Sequence, residues 1–381
     1  MPDNLRRKLA ERSKLDNKRT LSLVGNKIDF VSNDYLGLSR SRELFDRISQ
    51  YSYDGIVNLN GSSGSRLLAG NSVQAVALEQ KLSDIFHSNS SLLFNSGYAA
   101  NLALISSVPQ KGDTILYDSL SHVCLKEGAW LSKAESMAFR HNDVDDLEQK
   151  IKRSSGAVFV VIESVYSMDG DRAPIQEIIA LKKLYEIHII VDEAHSTGVF
   201  GDRGSGLVCD MGLEKEFFAR VYTFGKAMGV HGACVCGSET LTDYLINFGR
   251  SFIYTTALPV HSIFSIDAAF DFLKEHMHLQ KDIATRIAYF NDCYHDMFGD
   301  MSDINKPMSS TPIQPIIISG NSRIKNIADQ LQKAGYDIRP ILAPTVRAGA
   351  ERLRISLHAH NSMDEIHQML NDLKRFFASK N

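Results

Sequence analysis

The chain has 381 residues, of which 44% are hydrophobic and 23% are charged. Its 42 basic and 45 acidic residues leave a formal net charge of −3 at pH 7. This composition is typical of a globular protein with a large core, and the balanced charge argues against binding to nucleic acid or to an anionic membrane. No apolar run approaches the roughly 20 residues that span a bilayer, and the first residues lack the apolar segment of a secretory signal.

The cysteines are Cys124, Cys209, Cys234, Cys236 and Cys293. An odd number without a CxxC pair indicates free thiols in a reducing compartment, so we expect a cytoplasmic protein. Cys234 and Cys236 alternate along an apparent strand, where small buried side chains are a better interpretation than metal ligands. We therefore expect no metal site.

The first part of the chain predicts a helix, a strand and a loop. Leu5 to Leu15 has apolar residues at helical spacing, and Arg19 follows this helix. The stretch 27–31 alternates like a strand, and it runs into the turn-rich loop 32–38, which contains Asn33 and Tyr35. Such a loop is either a plain turn or a substrate contact.

Two later stretches could bind phosphate. The glycine- and serine-rich stretch 58–71 matches neither of the common nucleotide-binding patterns, and a predicted helix follows it from Val73 to Phe86. In 91–102 a short apolar strand turns through Ser96 and Gly97 into an alanine-rich helix. The free N–H groups of that helix start could bind an anion, although a plain strand-to-helix turn is equally consistent with the residues.

The middle of the chain alternates strands and helices. Strands are predicted at 114–117, 157–162 and 187–191, with a helix from Ile175 to Tyr185 between the last two. This alternation is typical of a mostly parallel sheet with helical crossovers. His122 follows the first of these strands, where it is either a structural histidine of the loop or a ring that stacks on a planar ligand.

Asp192 and Lys226 carry the clearest chemical signal. Asp192 ends the apolar strand 187–191, His195 follows it, and Lys226 comes after another short apolar strand and lies between Gly225 and Gly229. In open α/β sheets, ligands bind at the carboxyl ends of the strands. A pyridoxal phosphate enzyme needs a lysine that holds the aldehyde as an imine and an aspartate that keeps the pyridine nitrogen protonated. The pair therefore predicts that cofactor.

The C-terminal part predicts a smaller α+β domain. Strands are expected at 314–318, 336–340 and 352–357, and a helix at 363–377. The predicted organisation is an N-terminal helix and strand segment at 1–40, a large α/β domain at 41–245 and a small α+β domain at 246–381.

Six segments together resemble the α-oxoamine synthases, a family of fold-type I pyridoxal phosphate enzymes that condense an amino acid with an acyl thioester and release carbon dioxide. The likeness covers nearly the whole chain in order, and it implies a large domain with a mostly parallel central sheet and a smaller C-terminal α+β domain. The segments are Ser32–Leu38, Asn95–Tyr98, Ser121–His122, Val165–Gly170, Asp192–His195 and Thr223–Lys226.

The resemblance also assigns roles to single residues. Lys226 would hold the cofactor and act as general base, Asp192 would pair with the ring nitrogen, and His195 would bond the ring oxygen. His122 would stack on the ring. The residues implied to bind the rest of the cofactor are Ser96, Gly97, Tyr98 and Thr223 at the phosphate, Ser167 near the ring oxygen, and Thr255 and Thr256 at the phosphate of the other subunit of a homodimer. The residues implied to bind substrate are Arg354 and Asn33 at the amino-acid carboxylate, and Arg19 and Thr345 at the acyl group.

Within the family, the likeness is greatest to the members that condense L-alanine with a pimeloyl thioester, carried by coenzyme A or an acyl-carrier protein, in biotin biosynthesis. Other members use glycine or serine with an acetyl, succinyl or long-chain acyl thioester, and the loop 61–67 is shared with serine palmitoyltransferase-like relatives. His231, in the segment after Lys226, has no assigned role, and we interpret it as structural.

Two interpretations from other classes compete with an enzyme. The first is a catalytically idle α/β protein that binds a nucleotide or phosphate through its glycine- and serine-rich loops. The second is a scaffold without a ligand, which the clustering of titratable groups at strand ends argues against.

Overall fold

The structure is a computed structural model that describes residues 2–14, 18–19, 21, 23, 25–301, 303–343 and 345–378. The chain divides into two compact units, one formed by Asn33–Ala284 and the other by Met1–Ser32 together with Thr285–Asn381. The strands of the described residues are β1 (Ile28–Asp29), β2 (Ser90–Phe94), β3 (Thr114–Asp118), β4 (Glu135–Phe139), β5 (Val158–Glu163), β6 (Ile187–Asp192), β7 (Ala219–Thr223), β8 (Ala233–Gly237), β9 (Ile313–Ile317), β10 (Tyr336–Asp337), β11 (Pro340–Ile341) and β12 (Arg352–Ser356).

Helices connect most of these strands. The α-helices of the described residues are α1 (Asp3–Lys14), α2 (Arg42–Ile48), α3 (Val73–Ile85), α4 (Gly97–Ser107), α5 (Val123–Leu131), α6 (Val144–Ile151), α7 (Ile175–Lys182), α8 (Leu207–Asp210), α9 (Glu239–Phe248), α10 (Arg250–Ile253), α11 (Val260–Glu275), α12 (His278–Phe298), α13 (Asn321–Lys333) and α14 (Met363–Ala378).

The unit Asn33–Ala284 is built on a seven-stranded sheet with the order β2-β8-β7-β6-β5-β3-β4. Strands β7, β6, β5, β3 and β4 pair in parallel, and β8 is antiparallel to both of its neighbours. The predicted fold class, α/β with a mostly parallel sheet, is confirmed. Because parallel strands end at the same edge, the residues after β3, β5, β6 and β7 lie along one side of the sheet.

Burial explains why the central strands form. Every residue of β5 and β7 is buried, and β6 is buried except for the half-buried His188. Strands that helices cover on both faces are buried in this way along their length. Helices α4 and α5 complete the core with Leu104, Ile105 and Leu125, which pack with Val161 and other sheet residues. The result is a rigid support for the loops at the strand ends.

Two small sheets belong to the other unit. β1 pairs in parallel with β10, and the strands β11, β12 and β9 form an antiparallel sheet in that order. The helix α14 buries Ile366, Met369, Leu370 and Leu373 on one face, which is the helical spacing expected from the sequence. β1 is only two residues long, shorter than the predicted strand at 27–31, because only Ile28 and Asp29 pair with β10.

The unit boundaries lie at 32/33 and 284/285, whereas the sequence prediction places domain boundaries at 40/41 and 245/246. Most of the chain from 239 to 298 is helical, so no change of periodicity marks a boundary there. None of the helices in the described part of the chain is both long and apolar enough to cross a bilayer.

Candidate active site

A cavity of about 280 Å³ opens at the carboxyl ends of the parallel strands in the unit Asn33–Ala284. We call it the strand-end cavity. Most of the polar side chains that the sequence predicts for the cofactor site meet here. The residues that line it are Asn33, Asn95, Ser96, Gly97, Tyr98, Asn101, His122, Cys124, Glu163, Asp192, Ala194, His195, Thr223, Gly225, Lys226, His231 and Gly232.

Lys226 reaches the cavity from the turn after β7. Its Nζ lies 2.8 Å from Nε2 of His195. The turn closes at Gly229, whose φ is 68° and where an added Cβ would lie 2.3 Å from the backbone nitrogen of Ser39. Only glycine combines this backbone conformation with such a close approach. The turn therefore holds the amine beside the imidazole.

Asp192 is held at the end of β6 by two hydrogen bonds. Asn101 donates from Nδ2 to Oδ2 at 2.7 Å, and the backbone N–H of Ala194 donates to Oδ1 at 2.8 Å. Asp192 is only 5% exposed. A buried and fixed carboxylate of this kind can stabilise a protonated ring nitrogen, which is the role the sequence predicts.

His195 links Lys226 to the loop that precedes α2. Nδ1 of His195 lies 2.7 Å from the hydroxyl of Tyr35, which donates to Oδ1 of Asn33 at 3.0 Å. Because the Tyr35 hydroxyl donates to Asn33, it accepts from Nδ1 of His195, and in the neutral ring Nε2 then accepts from Lys226. The ring is thereby fixed in one tautomer.

His122 caps the start of α5. Its Nδ1 accepts from the backbone N–H of Cys124 at 3.3 Å and lies 2.9 Å from the Cys124 thiol. Partial loss of solvent lowers the pKa of His122 below its usual value. The ring is therefore neutral near pH 7, with its other nitrogen directed away from Cys124. A neutral ring suits stacking on a planar cofactor.

The start of α4 fits a phosphate group. Ser96 caps the helix by accepting from the N–H of Ala99, and the N–H groups of Gly97 and Tyr98 belong to the helix end that lacks intrahelical partners. A Cβ at Gly97 would lie 2.3 Å from Cγ2 of Thr223, so glycine is required for this approach. The hydroxyl of Thr223 is buried and has no hydrogen-bond partner among the residues that the structure describes, as expected of a group that binds a ligand. These residues fit pyridoxal phosphate.

Three of the predicted cofactor residues within the unit Asn33–Ala284 do not line the cavity. Ser167 lies in the turn after β5 and is not among the lining residues. Thr255 lines a smaller pocket that it shares with Asn95, and the carbonyl of Thr256 accepts from Asn95 at 2.9 Å. Arg354 lies on β12 in the other unit and donates to the Ser356 hydroxyl at 2.9 Å.

Arg19 and Thr345 are exposed residues of the unit that also contains Arg354. Their substrate-binding roles, like those of the other site residues, stay predictions. His231, which we interpreted as structural, is exposed and lines the strand-end cavity.

The sequence did not predict the supporting role of three side chains of the site. Asn101 holds Asp192, Glu163 holds the backbone of His122, and Tyr35 holds His195. Glu163 ends an apolar strand just as Asp192 does, so the same rule would have found it. Asn101 gives a weaker signal, as a polar residue four positions into an alanine-rich helix.

Comparison with known proteins gives a consistent result. The family model for class I and II aminotransferases matches residues 25–373. A protein of Emericella nidulans named 8-amino-7-oxononanoate synthase is 41% identical over 395 residues, covering 97% of this chain and 94% of that protein.

The solved structures that share the fold include an 8-amino-7-oxononanoate synthase and a serine palmitoyltransferase. The 8-amino-7-oxononanoate synthase of Francisella tularensis superposes with a TM-score of 0.78 and 28% identity, covering 92% of this chain and 97% of that one. A serine palmitoyltransferase from S. paucimobilis, with a bound PLP-myriocin aldimine, gives a TM-score of 0.88 and 25% identity, covering 98% of this chain and 97% of that one.

Proposed function

The chain belongs to the class I and II aminotransferase family and, within it, to the α-oxoamine synthases, and we propose that it is an 8-amino-7-oxononanoate synthase of biotin biosynthesis. It condenses L-alanine with a pimeloyl thioester, carried by coenzyme A or an acyl-carrier protein. A bond forms between Cα of alanine and the acyl carbon, the thiol leaves, and the alanine carboxylate leaves as carbon dioxide.

The cofactor is pyridoxal phosphate. When bound, it supplies a conjugated ring that takes up the electron pair released as a bond at Cα breaks. The observation that carries the proposal is that Lys226, Asp192, His195 and His122 line one cavity together with the residues at the start of α4. A scaffold or an idle phosphate-binding protein has no use for this set of residues.

Each of these residues has a separate task. Lys226 attaches the aldehyde and accepts the Cα proton, and the contact between its Nζ and His195 holds the amine in place. Asp192 stabilises positive charge at the ring nitrogen, and His122 orients the ring by packing against its face. The start of α4 and the hydroxyl of Thr223 bind the phosphate.

The proposal also covers the residues that bind substrate. Arg354 is suited to a carboxylate because its guanidinium can form two parallel hydrogen bonds. We assign the alanine carboxylate to Arg354 and Asn33, and the acyl group to Arg19 and Thr345. Ser167 is assigned to the ring oxygen of the cofactor.

The active form is a homodimer in which Thr255 and Thr256 bind the phosphate held by the partner subunit. Large apolar side chains on the surface support this assembly, since α5 carries Trp130 and Leu131 at 64% and 65% exposure. We place the enzyme in the cytoplasm, where its five free cysteines remain reduced.

The test is a substrate panel with purified, cofactor-loaded protein. We expect turnover with alanine and pimeloyl thioester, and little with serine and palmitoyl thioester. The reverse result would instead favour a serine palmitoyltransferase, whose fold is also similar. A colourless protein that is not labelled at Lys226 by borohydride reduction would exclude both enzymes.

A further inference from the structure

Glu163 stands beside Asp192 in the strand-end cavity. In the parallel pairing of β5 and β6 the two residues are register partners at the last position of each strand. Register partners project their side chains from the same face of a sheet. Both residues line the cavity, and they are only 3% and 5% exposed. Two carboxyl groups are thus adjacent at a site that is almost fully buried from solvent.

The two groups have different partners. Asp192 accepts one hydrogen bond at each oxygen, from Asn101 and from Ala194. Glu163 accepts from the backbone N–H of His122 at 2.5 Å. Among the residues that the structure describes, no basic side chain forms an ion pair with Glu163. Asp192 is therefore the better stabilised of the two as an anion.

Adjacent buried carboxyl groups resist double ionisation, because each negative charge raises the energy of the other. Burial, and then the charge of Asp192, raise the pKa of Glu163 to about 8. Of the other groups that face it, Asp118 acts in the same direction, whereas the His122 N–H and Lys226 oppose the shift. Burial and the adjacent carboxylate thus both favour the protonated form of Glu163.

We propose that Glu163 is a positioning residue that works as a neutral carboxylic acid: it holds the His122 backbone at the cavity and leaves Asp192 as the single negative charge behind the cofactor ring. The inference rests on the proposed function, because it assigns Glu163 a task in orienting that cofactor.

The role follows from the position of the bond to His122. The N–H that Glu163 accepts belongs to the residue that caps α5 and whose ring faces the cavity. Loss of the acceptor would leave this N–H without a partner and free the loop before α5 to move. Ionisation of Glu163 would keep the bond but add a second negative charge near the ring nitrogen.

Variants of Glu163 separate the two parts of the role. Glu163→Gln keeps a neutral acceptor oxygen of the same size, and we expect kcat to fall less than about fivefold at pH 7. Glu163→Ala removes the acceptor, and we expect a fall of more than about tenfold with faster amide hydrogen exchange at His122. Glu186→Gln, at the exposed N-terminal side of β6, is the matched control.

The protonation state is tested by titrating the absorbance of the bound cofactor from pH 6 to 10. With Glu163 neutral, wild type and Glu163→Gln have the same spectrum below about pH 7 and diverge above about pH 8, where only wild type gains a charge. That charge favours the protonated cofactor, so the apparent pKa of the chromophore is higher in wild type than in Glu163→Gln.

Three results would overturn the proposal. Spectra that already differ at pH 6 would mean that Glu163 is ionised there. Spectra that coincide up to pH 10 would mean that its charge does not act on the cofactor. Equal losses of kcat in Glu163→Gln and Glu163→Ala would exclude a neutral acceptor. If wild type binds no pyridoxal phosphate, the proposed function fails instead, so the two failures are distinguishable.

Discussion

The hydroxyl of Tyr35 lies 2.7 Å from Nδ1 of His195, which is 160 positions later in the chain. Tyr35 is completely buried, and its hydroxyl also donates to Asn33. Because the other nitrogen of His195 contacts Lys226, the tyrosine determines the tautomer and the orientation of the ring next to the reactive amine. A loop near the start of the chain therefore orients a residue in the turn after β6 of the central sheet.

Removal of this hydroxyl should impair catalysis more than cofactor binding. In Tyr35→Phe, Nδ1 of His195 loses its buried partner, at a cost of about 1–3 kcal/mol, which corresponds to about a 10- to 100-fold lower kcat. Steady-state kinetics and the absorbance of bound cofactor measure the two effects. Tyr185→Phe, which removes a hydroxyl bonded to Glu148, is the control, and an equal loss in both variants would contradict the role of Tyr35.

Lys226 should be the site of covalent attachment. Lys226→Ala removes both the amine that binds the aldehyde and the proposed base, so we expect a loss in kcat of at least about 10⁴-fold. Borohydride reduction followed by peptide mass spectrometry should find the label on Lys226 in wild type and no label in the variant. The exposed Lys183→Ala is the control. Wild-type turnover by Lys226→Ala would refute the mechanism.

The close approach of Gly97 to Thr223 should prevent a larger residue at position 97 from leaving the phosphate site intact. In Gly97→Ala the new methyl group would meet Cγ2 of Thr223 at 2.3 Å, so we expect the affinity for pyridoxal phosphate to fall about 10- to 100-fold. Adding Thr223→Ser removes Cγ2 but keeps the hydroxyl, and it should restore much of the affinity. Equilibrium titration of the apoprotein measures both, and a double variant no better than Gly97→Ala would exclude this contact as the cause.

The partner subunit should complete each active site. In a one-to-one mixture of Lys226→Ala and a Thr255→Ala/Thr256→Ala double variant, half of the dimers are hybrids, and each hybrid has one site that carries neither change. We expect recovery of about a quarter of the wild-type activity after the subunits exchange. If the two threonines serve their own subunit, every site keeps a defect and no activity returns.

His141 should make stability depend on pH. Nδ1 contacts Asp118 at 2.8 Å and Nε2 contacts Asp171 at 2.7 Å. Burial alone would lower the pKa of His141, but the two carboxylates outweigh it and raise this pKa to about 10. Because the folded-state pKa is the higher one, this stabilisation is complete below about pH 6.5 and is lost as pH rises to about 10.

Urea unfolding at pH 6.5 and pH 10 tests this linkage. We expect the unfolding free energy of wild type to fall by up to a few kcal/mol more than that of His141→Asn over this range. The exposed His261→Asn is the control, and it should follow wild type. If the unfolding free energy of wild type and of His141→Asn changed equally with pH, the prediction would be wrong, because His141 would then not hold its proton more tightly in the folded state.

The local sequence was enough to predict the central strands and the functional residues at their ends. The mostly apolar strands β5, β6 and β7 are buried because helices cover the sheet. Their pattern therefore identifies the strands, the polar Asp192 at the end of β6 and Lys226 shortly after β7. The edge strand β4 escaped prediction because most of its residues are at least partly exposed and their pattern is not apolar.

Tertiary structure alone decided which side chains support one another. Asn101 bonds Asp192 across 91 positions, and Tyr35 bonds His195 across 160. Contacts between residues so far apart in sequence produce no periodic pattern, because they depend on the order of strands in the sheet and not on the spacing of residues along the chain. The type of cofactor could thus be inferred from single residues, whereas the protonation and orientation of its ligands depend on neighbours that only folding brings together.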